Sequence, residues 1–345
     1  MRFRRPVAGP VTGLVARLLA GLLLVFLAAA GMPARTAGTF AWGVQGDRFT
    51  VDGEVRFLTL VSYFDALDAS DRVWQEDFAY FRAHGVDGIR VFPNWWDCAD
   101  LNACKTPSPR TLMDIHGALR PPQLERLRQL LDAAAAQRLI VDLSFAREPV
   151  RADERTLNGA DYETGLLAVT RALAGQAPHA IVDLQNEIEI HGLDRSRDIA
   201  ADAARLRDAI RTIDPSRLVI ASTGSRDLMR QLEPHMDAVA YHDPRVRDWW
   251  SRTSAEVTSL KALTRRPIYF QEPIAYQLAG ARPGRDDVVA THFIQARESA
   301  RAAGAAAWLF HTRKGFRLDD RSFVSQQEPG DREFFAALAA SRKAR

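Results

Sequence analysis

The chain repeats one local plan eight times: a short apolar, β-branched run followed by a longer segment of helical periodicity. Apolar runs at about 57–62, 88–92, 139–145, 180–187, 218–221, 238–242, 267–272 and 305–310 alternate with helical stretches. Those stretches lie near 73–84, 121–137, 161–174, 198–213, 227–232, 254–264, 286–303 and 331–340. A continuous apolar run is what a strand covered on both faces requires, and a helix between two such strands returns the chain to a parallel neighbour. Eight units are the count for an α/β fold of the (β/α)8 TIM-barrel type. A doubly wound open sheet is the alternative, and it needs two units to be misread. Ahead of the first unit, residues 39–44 and 48–51 flank Gly46-Asp47, and Asp52-Gly53 precedes Glu54-Val55-Arg56. Asp-Gly between alternating apolar residues predicts a short N-terminal β-hairpin, placed to close the bottom of the barrel. No repeat, low-complexity tract or interior linker interrupts residues 40–345, which are expected to form a single domain.

Two of the runs end abruptly in polar chemistry: Ala180-Ile181-Val182-Asp183-Leu184-Gln185-Asn186-Glu187 and Pro267-Ile268-Tyr269-Phe270-Gln271-Glu272. In a barrel the C-terminal ends of the strands converge on one mouth. Reading those ends in order collects Tyr63, Asp65, Arg90, Asn94, Trp95, Trp96, Ser144, Arg147, Asn186, Glu187, Ser222, Thr223, Tyr241, His242, Glu272 and His311. Two carboxylates over one bond suit glycosidic cleavage: one stays protonated to assist the leaving oxygen, the other stays ionised to attack the anomeric carbon. Asn186 is then placed to meet a sugar hydroxyl, Arg90 to keep a carboxylate ionised, and Trp95 or Trp96 to stack on a pyranose ring. No cluster of metal ligands and no Gly-rich phosphate loop is present in the sequence, so no cofactor is expected. Each residue also has a plainer reading: a salt-bridged Glu187 or Glu272, a core ion pair at Arg90, a satisfied core histidine at His242 or His311. Glu189 rivals Glu187, because strand alternation puts both on one face. Trp249-Trp250 reads either as a sugar platform or as packing.

Asn186-Glu187 on the fourth strand and Glu272 on the seventh resemble the clan A glycoside hydrolases, in particular the cellulase-like, family 5-type enzymes. Gly85-Val86-Asp87-Gly88-Ile89-Arg90-Val91-Phe92 is similar to that family's second strand with its active-site Arg, and Tyr241-His242 to its sixth-strand His. Phe49-Thr50-Val51-Asp52-Gly53-Glu54-Val55-Arg56-Phe57 is similar to the segment that enters these barrels. The resemblance implies Glu187 as acid/base and Glu272 as nucleophile of a retaining hydrolase of a β-linked, glucan- or mannan-like oligo- or polysaccharide. It also implies sugar contacts from Arg90, Asn186, His242, Trp95 and Trp96, and a stacking role for Trp308 or its replacement by His311. The chain departs from the family at Ser144-Phe145-Ala146-Arg147, where a His-bearing motif is usual, and at His242-Asp243-Pro244, which lacks the Tyr two places on. A non-catalytic carbohydrate-binding barrel of the same fold is the alternative reading.

The N-terminus has a different character. Arg2, Arg4 and Arg5 precede an almost wholly apolar Leu18–Ala30, and Ala28-x-Ala30 offers a small-residue cleavage site. Residues 1–30 are therefore expected to be a secretory signal peptide, with an uncleaved anchor as the alternative, and the protein to be secreted or periplasmic. Without that segment the formal charge moves from +3 to −1, which gives no argument for nucleic acid or an anionic membrane as partner. A carbohydrate is the expected partner, and a monomer the expected state. In an exported protein, Cys98 and Cys104 are expected to form a disulfide across a short loop.

Overall fold

The computed structural model describes residues 40–94, 111–146, 159–191, 198–243, 248–273, 289–312 and 321–343, together with Leu157, Val246 and Leu318. The expected leader, Trp95, Trp96, Arg147 and the Cys98–Cys104 pair lie outside the described residues.

The entry segment forms three antiparallel strands rather than a two-stranded hairpin: β1 (Trp42–Gln45), β2 (Arg48–Val51) and β3 (Glu54–Arg56). The difference comes from the second turn. Asp52 and Gly53 both take positive φ (54° and 81°), the backbone that a two-residue hairpin turn demands, so the chain folds back once more onto β2.

The main sheet is parallel and made of β4 (Leu58–Ser62), β5 (Gly88–Val91), β6 (Ile140–Ser144), β7 (Ala180–Asp183), β8 (Leu218–Ile220), β9 (Ser222–Thr223), β10 (Val239–Tyr241), β11 (Ile268–Phe270) and β12 (Ala307–Phe310). β12 pairs with β4, which joins the last strand to the first. β8 and β9 are separated by Ala221 alone; β8 pairs with β7 and β9 with β10. They are two halves of one bent strand, so the ring has the eight positions of a (β/α)8 barrel. Around it run α1 (Asp71–Ala83), α2 (Pro121–Ala136), α3 (Gly159–Leu173), the short α4 (Ile188–His191), α5 (Ile199–Ile213), α6 (Arg226–Leu232), α7 (Trp249–Lys261), α8 (Ala290–Ala303) and α9 (Pro329–Lys343).

Local chemistry sets most of these boundaries. The Ser70 side chain accepts from the Val73 amide at the start of α1, and Asp198 accepts from Ala200 and Ala201 at the start of α5. α2 starts on a proline, whose missing amide hydrogen is no loss in a first turn. α7 begins earlier than its sequence pattern implies. Trp249 is buried 5.0 Å from Phe293 of α8, so tertiary packing extends the helix back past Ser254, where the sequence pattern begins.

The barrel interior is layered. Near the N-terminal ends of the strands, Leu58, Leu60, Ile140, Ile181, Ile220, Tyr269, Ala307 and Leu309 pack with Phe40, Trp42, Phe49 and Val51 of the entry segment. Gly88 is required here, since a Cβ on it would stand 2.3 Å from Ile140 Cγ1. The entry sheet thus plugs the barrel bottom, as expected, and Phe49→Ala at its centre would cost about 3–5 kcal/mol. The opposite end of the interior is polar, and it carries the candidate site.

Candidate active site

Strand alternation decides which side chains enter the upper barrel. On β6 the inward positions are Ile140, Asp142 and Ser144; on β7 they are Ile181 and Asp183; β5 delivers Arg90, and β11 is followed directly by Gln271 and Glu272. Arg90 is fully buried and organises the layer. Its Nη1 donates to Glu272 Oε1 at 2.6 Å, and its Nη2 to Asn186 Oδ1 at 2.7 Å and Ser144 Oγ at 2.8 Å. Asp183 Oδ2 lies 3.4 Å from Nη2, and Asp142 Oδ2 lies 3.6 Å from Nε. Asp183 also accepts from the Ser144 hydroxyl and the Ser222 amide. A guanidinium with three carboxylates around it is the arrangement in which a buried cation is compensated rather than costly.

Glu272 faces one guanidinium and two imidazoles. Besides Arg90, its Oε2 lies 3.5 Å from His242 Nδ1 and 3.9 Å from His311 Nε2. Burial alone would push this carboxyl up, but His242, His311 and Arg90 outweigh it and hold Glu272 well below the usual carboxylate range. His242 is the mirror case. Burial would lower it, and Glu272 with Glu187 raises it above the ordinary histidine value.

Glu187 stands across from Glu272. Its Oε1 lies 3.3 Å from His242 Nδ1, and its amide donates to Ser222 Oγ. Its backbone is in the left-handed region (φ 49°), where a non-glycine residue is uncommon and costs of order 1–3 kcal/mol. One carboxylate oxygen of Glu187, one of Glu272 and a ring nitrogen of His242 all lie within 4.8 Å of one another. These three groups could also meet one cation. Arg90 and the raised His242 already supply positive charge there.

Arg90, Asn186, Glu187, His242, Glu272 and His311 therefore converge on one mouth. Trp308 does not. Outward-facing on β12, it is wholly buried 6.3 Å from Phe293 and 5.8 Å from Phe334, in the layer between barrel and helices. Alternation sends Leu309 and His311 inward instead, so the stacking role implied by the resemblance cannot fall to Trp308. His311 Nδ1 is fixed by Ser62 Oγ at 2.7 Å, and its ring stands edge-on to Phe64. Phe64 in turn stacks on Phe92 at 4.5 Å. Glu189 accepts the Gly224 amide at 2.6 Å, so the rival to Glu187 is occupied in a turn. Tyr63 points into the helix layer and donates to Asp77. Trp249 is core, and Trp250 stacks on His292.

Sequence reasoning passed over Asp142, Asp183 and Gln271. Their signal was present: Ile-Val-Asp-Leu occurs at 140–143 and again at 181–184, each with a charge inside an otherwise apolar strand. Gln271 Nε2 donates to Asp142 at 2.7 Å and to Asp183 at 3.1 Å, while its Oε1 lies 3.1 Å from His242 Nε2. Burial pushes Asp142 up to about 7, against the opposing pull of Arg90.

No protein-family model matches the chain, and no curated protein matches its sequence. Solved structures do match. The endo-1,4-β-mannanase of Rhizomucor miehei is 11% identical, with a TM-score of 0.62 over 88% of this chain and 100% of that one. The Thermomonospora fusca β-mannanase in complex with mannotriose is 13% identical, with a TM-score of 0.59 over 88% and 97%. A Bacteroides vulgatus protein described provisionally as a glycoside hydrolase is 12% identical, with a TM-score of 0.66; 91% of this chain covers 62% of that one, less than two thirds of its length. Identities this low speak for architecture, and the chain has the (β/α)8 barrel fold of these glycoside hydrolases, with a three-stranded entry sheet before it.

Proposed function

We propose that the protein is a retaining glycoside hydrolase acting on a β-linked, glucan- or mannan-like oligo- or polysaccharide. The observation that carries this reading is the approach of the Glu187 and Glu272 carboxylates to within 4.8 Å. Retaining enzymes hold their two carboxyl groups ~5–5.5 Å apart, whereas inverting enzymes leave ~6.5–9.5 Å for a water. Glu272, ionised by Arg90, His242 and His311, attacks the anomeric carbon and forms the glycosyl-enzyme. Glu187 protonates the leaving oxygen and then deprotonates the incoming water. Asn186 spends its carbonyl oxygen on Arg90, so its amide N–H group is the part that can meet a sugar hydroxyl. The mannanase names of the matched structures support a mannan-like substrate, and the N-terminal segment supports export.

The test is mass spectrometry after incubation with 2-fluoro-glycosyl inactivators of gluco and manno configuration. The expected result is a sugar adduct on the Glu272 peptide, absent from Glu272→Gln. Folded protein that binds oligosaccharides but takes no label from either reagent would instead be a non-catalytic carbohydrate-binding barrel.

A further inference from the structure

The hydrogen-bond directions beneath the two glutamates determine more than their spacing does. The Gln271 amide is oriented by Asp183: its Nε2 donates to Asp183 Oδ2, which also accepts from Arg90 and Ser144, and to Asp142 Oδ2 beside it. Its Oε1 is therefore the atom facing His242 Nε2, and an amide oxygen only accepts. His242 Nε2 must carry a hydrogen. The other ring nitrogen, Nδ1, then points between Glu187 Oε1 at 3.3 Å and Glu272 Oε2 at 3.5 Å. A bare lone pair aimed at two carboxylates would be repelled by both, so one proton belongs to this trio. The charged groups facing the ring are Glu187 beyond β7, Glu272 beyond β11 and Arg90 on β5. The two anions favour the proton on the ring, and Arg90 is spent on Glu272.

We propose that His242 stores the proton of the general acid on Nδ1, and that Gln271 is the positioning residue that holds the ring to that task. This rests on the hydrolase reading above. In the first step the C1–O bond to the leaving group breaks and a Glu272 Oε–C1 bond forms. The proton moves from Nδ1 to Glu187 and on to the leaving oxygen. Esterification removes the Glu272 charge that stabilised the imidazolium, so ring and nucleophile neutralise together. In the second step a water oxygen bonds to C1 and the ester bond breaks. The water proton passes through Glu187 back to Nδ1, and Glu272 recovers its charge.

The experiment uses the whole protein labelled with 15N-histidine, the His242 signal being assigned by its loss in His242→Asn. Free enzyme should show both ring nitrogens of His242 protonated at pH 7, and the 2-fluoro-glycosyl enzyme should show Nδ1 bare. Gln271→Met removes the acceptor at nearly constant size. It should lower the pH at which His242 deprotonates and move the basic limb of kcat/KM down by the same amount, with KM little changed. If that variant does not fold, the two wild-type spectra decide alone. A bare Nδ1 in the free enzyme, or a ring still cationic in the trapped intermediate, overturns the proposal. Protein that neither inactivator labels would overturn the cycle together with the hydrolase reading, whereas labelled protein with an unchanged His242 overturns the cycle only.

Discussion

Replacing Arg90 by Met tests the electrostatic account of the barrel interior. The guanidinium is fully buried and bonds Glu272, Asn186 and Ser144, with Asp183 and Asp142 beside it. Met keeps most of the volume but leaves three buried carboxyl groups without their cation. Breaking a buried ion pair on one side costs about 3–5 kcal/mol. At about 2–4 °C per kcal/mol for a domain of this size, Tm at pH 8 should fall by roughly 6–20 °C. The pH dependence carries the sharper prediction. Glu272 is depressed in the folded protein, so its contribution is present above the unfolded carboxyl value and disappears as pH falls through the folded one. Without Arg90 that depression shrinks, and the stranded carboxyls can be relieved by protonation. The gap between variant and wild type should therefore be widest at pH 8 and narrow towards pH 4, as read by urea denaturation across that range. A loss of equal size at every pH would mean that Arg90 matters for packing rather than charge, and would refute the reasoning.

Other consequences are as direct. Asp142 is raised to about 7, so the native state binds its proton more tightly than the unfolded chain, and stability drains away as pH rises from about 4 to 7. Asp142→Asn should match wild type in Tm near pH 4 and exceed it at pH 8. His179 is buried against the Leu131 carbonyl and lowered to about 4 by burial, so stability is lost as pH falls from 6.5 towards 4. His179→Gln should flatten that acid-side slope in thermal melts. Trp308→Phe should lower Tm while leaving kcat and KM for any oligosaccharide unchanged, whereas His311→Phe, which removes the imidazole beside Glu272, should lower kcat.

Much of this architecture is legible in the sequence because one rule governs it: strands covered on both faces must be apolar, and each must be followed by a helix. The positions of Glu187, Glu272 and Arg90 follow, since a polar residue at the end of such a run has nowhere to go but the mouth. Side-chain facing at the last strand was harder to read. Trp308 and His311 are three residues apart, and only the register with β4, Trp308 opposite Thr59, settles which one enters the barrel. The third entry strand depended on a turn whose effect is decided by what β2 could pair with. Gln271 was invisible for another reason. An amide next to a carboxylate carries no signal until its three partners, contributed by β6, β7 and the residue after β10, are brought within reach.

The barrel wall is unevenly laced. β5 and β6 are joined over four residue pairs and β6 and β7 over four, but β9 and β10 over two and β11 and β12 over two. The strand that leads into Glu272 thus sits in the loosely sewn half. Arg90–Glu272 and Gln271–Asp142 cross the interior from the tightly sewn half, like tie rods through a cask. Rigidity at the mouth is in this sense borrowed from side chains rather than from the ladder. Amide exchange along β11 should then report on those two rods, quickening when either is cut, while β5 and β6 keep their protection.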